Sequence, residues 1–286
     1  MIARALLVAA LCAPIVSASA QGNRTWRTID VSRQLRDSAP QRVKVQFDAG
    51  RVDVRGTDAR VVYAMHLRYD EERAAPLHRY DQEQHSALLG ADSRGNAFRA
   101  SSSSGRAEGS ELRLALPTAV PLDLDLELGG TEARLDLGGL ALQSLRLECG
   151  ATDATLDFAT PNRTHMRELD VGIGAAQFTA THLANANAEQ IRVRGGIGTV
   201  DLDFAGTWTR DLDVVTRVAI GKLTVRVPDD VGVRVEVKRV AAGFDHEGLV
   251  KRGDAWFTPN WDAAPHKLRI SAETAFGAIA VVASTR

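Results

Sequence analysis

The sequence predicts an all-β protein: a parallel β-helix-like solenoid with a small mixed segment on its amino-terminal side. Three observations carry that prediction. A short β phrase returns five times, as LELGGTEARLDL at 126–137, LRLECGATDATLDF at 145–158, LDVGIGAAQFTA at 169–180, IRVRGGIGTVDLDF at 191–204 and LDVVTRVAIGKLTVRV at 212–227. Its corresponding apolar positions, Leu135, Leu156, Phe178, Leu202 and Val225, lie 21, 22, 24 and 23 residues apart, a regularity that points to stacked repeats. Each phrase sets two short alternating runs around a small-residue turn, and aromatic residues make up only 5% of the chain, which suits a narrow Leu/Val/Ile core.

Stacking is the economical way to bury such short runs. One coil above another gathers small apolar faces into continuous columns and pairs each coil's backbone with its neighbour's. Conventional parallel α/β sheets need long returns, often helical, and the connectors here are too short. An antiparallel sandwich could use the same letters, but it does not explain the repeated order of strand, glycine-rich turn, strand and connector.

The 286 residues can bury a sizeable core. Lys and Arg number 35 against 36 Asp and Glu, so global basicity gives no argument for a nucleic-acid partner. The hydrophobic content of 44% argues against wholesale disorder. Cys12 and Cys149 are the two cysteines, and the first falls in a predicted leader, so no disulfide is expected within the mature chain.

Taken in chain order, residues 1–20 read as a secretion signal. Arg4 supplies the positive region, an apolar run follows through Leu11, and Ala18-Ser19-Ala20 predicts cleavage between Ala20 and Gln21. A short membrane anchor competes, but its core is short for a span. Cys12 raises lipidation, against which stands the bulky Leu11 before it. No later stretch is apolar enough to span a bilayer, so the mature chain is expected to be periplasmic or secreted.

Residues 21–110 form the mixed segment. Val43, Val45 and Phe47, then Val52 and Val54 after Asp48-Ala49-Gly50, predict strand, turn and strand. Val61, Tyr63, Met65, Leu67 and Tyr69 predict a third strand with His66 on its polar face. Leu77, Tyr80, Gln84, Ala87 and Leu88 follow a broken helical spacing over 70–90, with Gly90 as stop and Pro76 blurring the start. His78, Asp81 and His85 would share one face of that helix; a solvated face explains them more simply than a metal site. Residues 91–110, with Ser101–Ser104, read as an exposed loop.

Residues 111–286 form the repetitive solenoid with a C-terminal capping loop. Val231, Val233, Val235 and Val237 begin a run beyond Pro228. Residues 243–266 turn irregular and carry Trp256 and Trp261, which are expected to pack in a loop that covers an open edge. Leu268, Ile270, Ile279 and Val281 resume the β pattern as a last coil.

VGIGAAQFTA, GGIGTVDLDF, VAIGKLTVRVP, GLVKRGDAWFTPNWD and LRISAETAFGAIAVV, in that order, resemble the toastrack putative-adhesin family of bacterial envelope proteins. The resemblance covers about residues 120–284, and the amino-terminal β segment is a candidate to continue it. It implies a single-stranded β-helix-like domain, exported or attached to membrane proteins and linked to envelope sensing, adhesion or assembly, with no established catalytic set. Glu132 and Asp153 stand near turns where later repeats carry glycine, so the first coils are expected to be distorted.

Asp136, Asp157 and Asp203 fall on the polar position of L-D-L/F phrases, joined by Asp123, Asp125, Asp201, Asp211 and Asp213. Residues 123–213 hold 15 acidic and seven basic residues, a net charge of −8. Such a face suits cation binding, or a carbohydrate-active enzyme (lyase or hydrolase) if two carboxyls converge at the right separation. Cys149 has no base placed beside it and is expected to fill the core. The sequence therefore names no catalytic, cofactor-binding or metal residue and no cofactor. It predicts a non-catalytic interaction, adhesion or assembly module whose partner is an envelope protein or polysaccharide.

Overall fold

The computed structural model describes residues 24–93 and 109–284. The predicted leader, Cys12 and most of the predicted serine-rich loop lie outside the described residues. Sixteen strands form one continuous ladder: β1 (Trp26–Gln34), β2 (Gln41–Thr57), β3 (Val61–Asp70), β4 (Ala74–Asp81), β5 (Ser86–Ser93), β6 (Glu111–Pro117), β7 (Pro121–Asp136), β8 (Ala141–Cys149), β9 (Asp153–Asp157), β10 (Met166–Thr181), β11 (Ala188–Asp203), β12 (Leu212–Pro228), β13 (Gly232–Asp245), β14 (Val250–Arg252), β15 (Ala255–Phe257) and β16 (Lys267–Ser284).

The coil is one long strand bent in the middle. In β10 the first arm buries Leu169, Val171 and Ile173, the corner at Gly174-Ala175 is exposed, and the second arm buries Phe178 and Ala180. Both arms face a common interior, so the core runs along the stack between them. β2, β7, β10, β11, β12, β16 and β13 repeat this shape. The strand, turn and strand predicted over 41–55 are the two arms of β2. Of the two coils expected to be distorted, the one with Asp153 is irregular: β8 pairs with the first arm of β7 and β9 with its second, and the chain breaks between them, whereas the coil with Glu132 is the unbroken β7.

Parallel register stacks like on like. Val54, Leu135, Leu156, Ala180, Leu202, Val225 and Val281 form one buried column. The sequence spacing put Phe178 in that column. The structure puts Ala180 there and moves Phe178 two residues along, onto Ala154 and Val200. Both residues alternate inward, so periodicity alone could not tell the two positions apart.

The corners are held by backbone. Gly198, Gly221 and Gly277 stack in register with φ of 150°, 148° and 127°. A Cβ on Gly221 would lie 1.8 Å from the Gly198 carbonyl oxygen. Glycine is therefore required there by both conformation and contact. The returns between coils are held by asparagine. Buried Asn162 accepts from the Leu142 N–H and donates to the Leu142, Thr164 and Ala186 carbonyls. Asn185 does the same work one coil on, donating to the Phe158 carbonyl and accepting from the Thr207 N–H.

Both ends depart from sequential order. At the amino-terminal end β3 pairs antiparallel with β1 and β6, and β6 pairs parallel with the second arm of β2. At the other end β16 lies between β12 and β13, so the last phrase of the sequence is not the last coil of the stack. The hairpin β14–β15 pairs with the first arm of β13 and covers that edge.

The helix expected over 70–90 is absent. β4 and β5 form an antiparallel hairpin in its place. Pro76 lacks the N–H that a helix interior needs and sits harmlessly on β4, which pairs only with β5. Asp81 Oδ1 accepts from the Glu83 and Gln84 N–H groups and closes the turn. Gly90 is no helix stop. It sits inside β5 with a positive φ of 119°, and a Cβ there would lie 2.0 Å from the Gln46 carbonyl oxygen.

Candidate functional site

Among the described residues the acidic side chains of the repeat gather into no common cluster and lie dispersed among basic and hydroxyl partners. Asp136 and Asp157 are register partners, but Asp203 is paired with Arg226. Burial opposes ionisation of Asp157, yet hydrogen bonds of 2.7 Å from His182 Nδ1 and Thr181 Oγ1 outweigh it and hold the carboxyl below its usual range. Asp123 accepts from Ser144 Oγ at 2.5 Å and from Arg167 at 3.3 Å. Asp125 lies 4.0 Å from Lys44, Asp201 3.8 Å from Arg226, and Asp211 and Asp213 lie 2.9 and 3.4 Å from Arg269. Lys44, Arg226 and Arg269 come from outside 123–213, so the charge of that segment is not the charge of the face. Glu127, taking hydrogen bonds from Gln46 and Lys44, is likewise held below the usual carboxylate range.

Cys149 is free and buried, and burial pushes its thiol up to about 12. That is a core side chain and a poor nucleophile. The helix face proposed for His78, Asp81 and His85 does not exist, because the first two lie on β4 and His85 in the turn. No group of three or more His, Cys, Asp or Glu able to hold a metal occurs among the described residues. Trp256 stacks on His246 at 3.9 Å and meets Phe244 edge-on at 5.6 Å; Trp261 meets Phe257 edge-on at 5.4 Å. Both tryptophans belong to the packing of the capping hairpin and its turn.

A concave surface lies elsewhere, on the outer face of β1, β3, β6 and the second arm of β2. Ser32, Ala64, Ala115 and Arg55 form one cross-strand row, and Asp30, His66, Arg113 and Asp53 the next. The two alanines leave a floor, and longer polar side chains stand around it. The result is an open trough of 660 Å³. His66 Nδ1 is 2.7 Å from Asp30 Oδ1, which fixes that wall. Arg113 is held by Glu111, with Nε to Oε1 at 2.8 Å. Asp53 and Arg55 make no ion pair among the described residues, so both keep their hydrogen-bonding capacity for a ligand. Guanidinium groups favour carboxylates, and carboxylates accept hydroxyl hydrogens. The trough thus offers donors and acceptors side by side.

None of these residues was singled out by the sequence except His66. Each polar-face position was visible, but the antiparallel placement of β3 between β1 and β6 was not.

Residues 20–179 match the family described as the N-terminal domain of toast_rack, DUF2154, and that segment is more than half of the chain. The chain belongs to this family. The toast_rack match includes β1 to β6, so the amino-terminal β segment continues the family beyond the motif resemblance over 120–284. No curated protein matches the chain. Among solved structures it is similar to a putative cell adhesion protein from Clostridium sporogenes, 16% identical, covering 92% of this chain and 100% of that one with a TM-score of 0.46. It is similar also to a putative adhesin from Bacteroides fragilis, 9% identical, covering 91% and 98% with a TM-score of 0.45. A third is a putative lipid binding protein from Parabacteroides distasonis, 8% identical, covering 93% and 98% with a TM-score of 0.33. The toast_rack fold assignment rests on strand register and on the family, not on these likenesses. No helix among the described residues is long and apolar enough to cross a membrane.

Proposed function

We propose that this toast_rack chain is a non-catalytic, exported interaction module that holds an acidic envelope polysaccharide in the trough of β1, β3, β6 and β2. The observation that carries the reading is the trough itself, with Arg55 and Asp53 unengaged beside the anchored Arg113 and Asp30. Arg55 and Arg113 suit sugar carboxylates; Asp30, Asp53 and Ser32 suit sugar hydroxyls. The rigid stack supports the site from one side, so little ordering is needed on binding. Periplasmic or secreted placement is part of the same proposal and rests on the leader-like residues 1–20.

Calorimetric titration of the chain from Gln21 onward with acidic and neutral envelope polysaccharides tests this. Acidic polymers are expected to bind, and Arg55→Ala to weaken them about tenfold, the loss of one charge-assisted contact. No binding to any polymer, or binding indifferent to Arg55→Ala and Asp53→Ala, would sink the proposal. Shortened product chains would overturn its non-catalytic part.

A further inference from the structure

The corner of the last coils carries an apolar ridge that the fold does not use. Five large apolar side chains stand exposed among the described residues, and four of them meet here: Ile197 at 59%, Ile220 at 46%, Phe276 at 52% and Val240 at 83%. Scattered single exposures need no explanation, but these are register neighbours. Ile197 pairs with Ile220, Ile220 with Phe276, and Phe276 with Ala241, the residue after Val240. On earlier coils the same corner is small: Ala49 pairs with Gly130, and Ala175 with Ile197. Large apolar groups therefore appear on three successive coils, spaced about 4.8 Å apart. Core packing does not call for Ile197, Ile220 and Phe276, because each precedes the corner glycine that turns the strand and stands exposed on the outside of the corner.

The flanks are basic. Arg194 and Arg217 precede the ridge, Lys222 follows it, and Lys238 and Arg239 stand beside Val240; Glu273 is the acidic residue among them. Glu273 answers Arg217 at 3.3 Å, and Arg194 is taken up by Glu148 and Asp170. Lys222, Lys238 and Arg239 have no ion-pair partner among the described residues. The whole chain is close to charge balance, so this is a local excess. The second arm of β13 pairs with β16 on one side, and the capping hairpin reaches only its first arm, at Arg234 and Val235. The ridge thus runs out to an end of the stack that no strand among the described residues covers.

We propose that this corner docks on an anionic lipid bilayer. Ile197, Ile220, Phe276 and Val240 enter the boundary between headgroups and acyl chains, and Lys222, Lys238 and Arg239 lie against lipid phosphates. Apolar groups ringed by cations are the pairing that binds such a surface. A second copy of the chain is a poorer occupant, because it would bring the same three cations to the contact. Strand order puts the ridge at the opposite end of the stack from the trough, which leaves the trough free of the bilayer.

Vesicle flotation tests the docking. The chain from Gln21 onward is mixed with vesicles of equal parts phosphatidylcholine and phosphatidylglycerol, and with phosphatidylcholine alone. It is expected to float with the anionic vesicles only, and to be released by raised salt. Phe276→Ser combined with Ile220→Ser should lower the bound fraction about tenfold, as two apolar anchors are lost; Lys222→Glu combined with Lys238→Glu should lower it at least as far. All four side chains are exposed, so an unchanged urea midpoint is expected and shows that the fold survives. Flotation that ignores both double variants, or no flotation at low salt, overturns the proposal. So does a native dimer that Phe276→Ser makes monomeric, since the ridge is then occupied by a second copy.

Discussion

The central coils β10, β11 and β12 and the amino-terminal cap of β1, β3, β4, β5 and β6 are made from the same kind of residue, yet they are organised on opposite principles. In the coils each strand lies parallel to the next, and from β10 to β11 and from β11 to β12 the neighbour is the following phrase, 22 and 23 residues on. Position repeats, so contacts repeat: leucine meets leucine, glycine meets glycine. In the cap the pairs are antiparallel, and β6 reaches β2 across the whole of β3, β4 and β5. No phrase repeats there, so apart from Ala64 on Ala115 the outward residues of the trough meet residues of other kinds. That is why the coils present a uniform surface and the cap a trough with four kinds of polar group around two alanines. Regular stacking favours length and rigidity; its interruption makes a recess.

Breaking the repetition should cost most. Gly221→Ala sets a Cβ against the Gly198 carbonyl oxygen at a positive φ, and we expect a loss of about 4 kcal/mol or more in urea unfolding. Gly248→Ala, at a φ of 77° with no atom within 4 Å, should cost only about 1 kcal/mol, because backbone strain acts there without a clash. Equal losses at the two sites would mean that the corner column is not a constraint.

The returns come next. Asn162→Ala leaves buried backbone groups of Leu142, Thr164 and Ala186 short of partners, and we expect about 2–3 kcal/mol by the same measurement. In the cap, Arg55→Ala should leave the unfolding midpoint nearly unmoved, since Arg55 is exposed and unpaired.

Acid tests the polar rim of the coils. Asp157 and Glu127 are held below their usual ranges when folded, so their ionisation stabilises the fold above the unfolded-state values near pH 4. That contribution is lost as pH falls through the depressed values. Asp157→Asn with Glu127→Gln should therefore flatten the fall in melting temperature below pH 4 while lowering it at neutral pH. A double variant with an unaltered acid limb would contradict this. Smallest is Thr216→Val. Thr216 is 0% exposed and its hydroxyl finds no partner among the described residues, so the isosteric swap should stabilise by about 1 kcal/mol in thermal melts.

The same contrast explains what could be read in advance. The coils announce themselves because their structure is periodic: the inward Leu and Val of each phrase, the glycine at each corner and the buried Cys149 follow from alternation and spacing. Phe178 shows the limit, since alternation fixes a face and not a place along it. The hairpin at 74–93 mimics a helix in sequence because Leu77, Tyr80, Gln84 and Leu88 satisfy a loose helical count, while the decisive feature is the partner strand β2, more than thirty residues earlier. Asn162 and Asn185 sit in connectors, where alternation carries no signal, although their recurrence 23 residues apart is a repeat signal of its own. The trough was hidden because Asp30, Ala64, Arg55 and Arg113 meet only through non-local antiparallel pairing. The ridge needed no such pairing. Ile197, Ile220 and Phe276 could have been noticed as bulky residues just before aligned glycines.

The placement of β16 between β12 and β13 sets an order of assembly. When β13 emerges from the ribosome or a translocation pore, the groove it must border is still unfilled. The carboxy-terminal third therefore waits for residues 267–284 to thread home, and shortening the chain by that segment would undo two neighbouring layers rather than trim one.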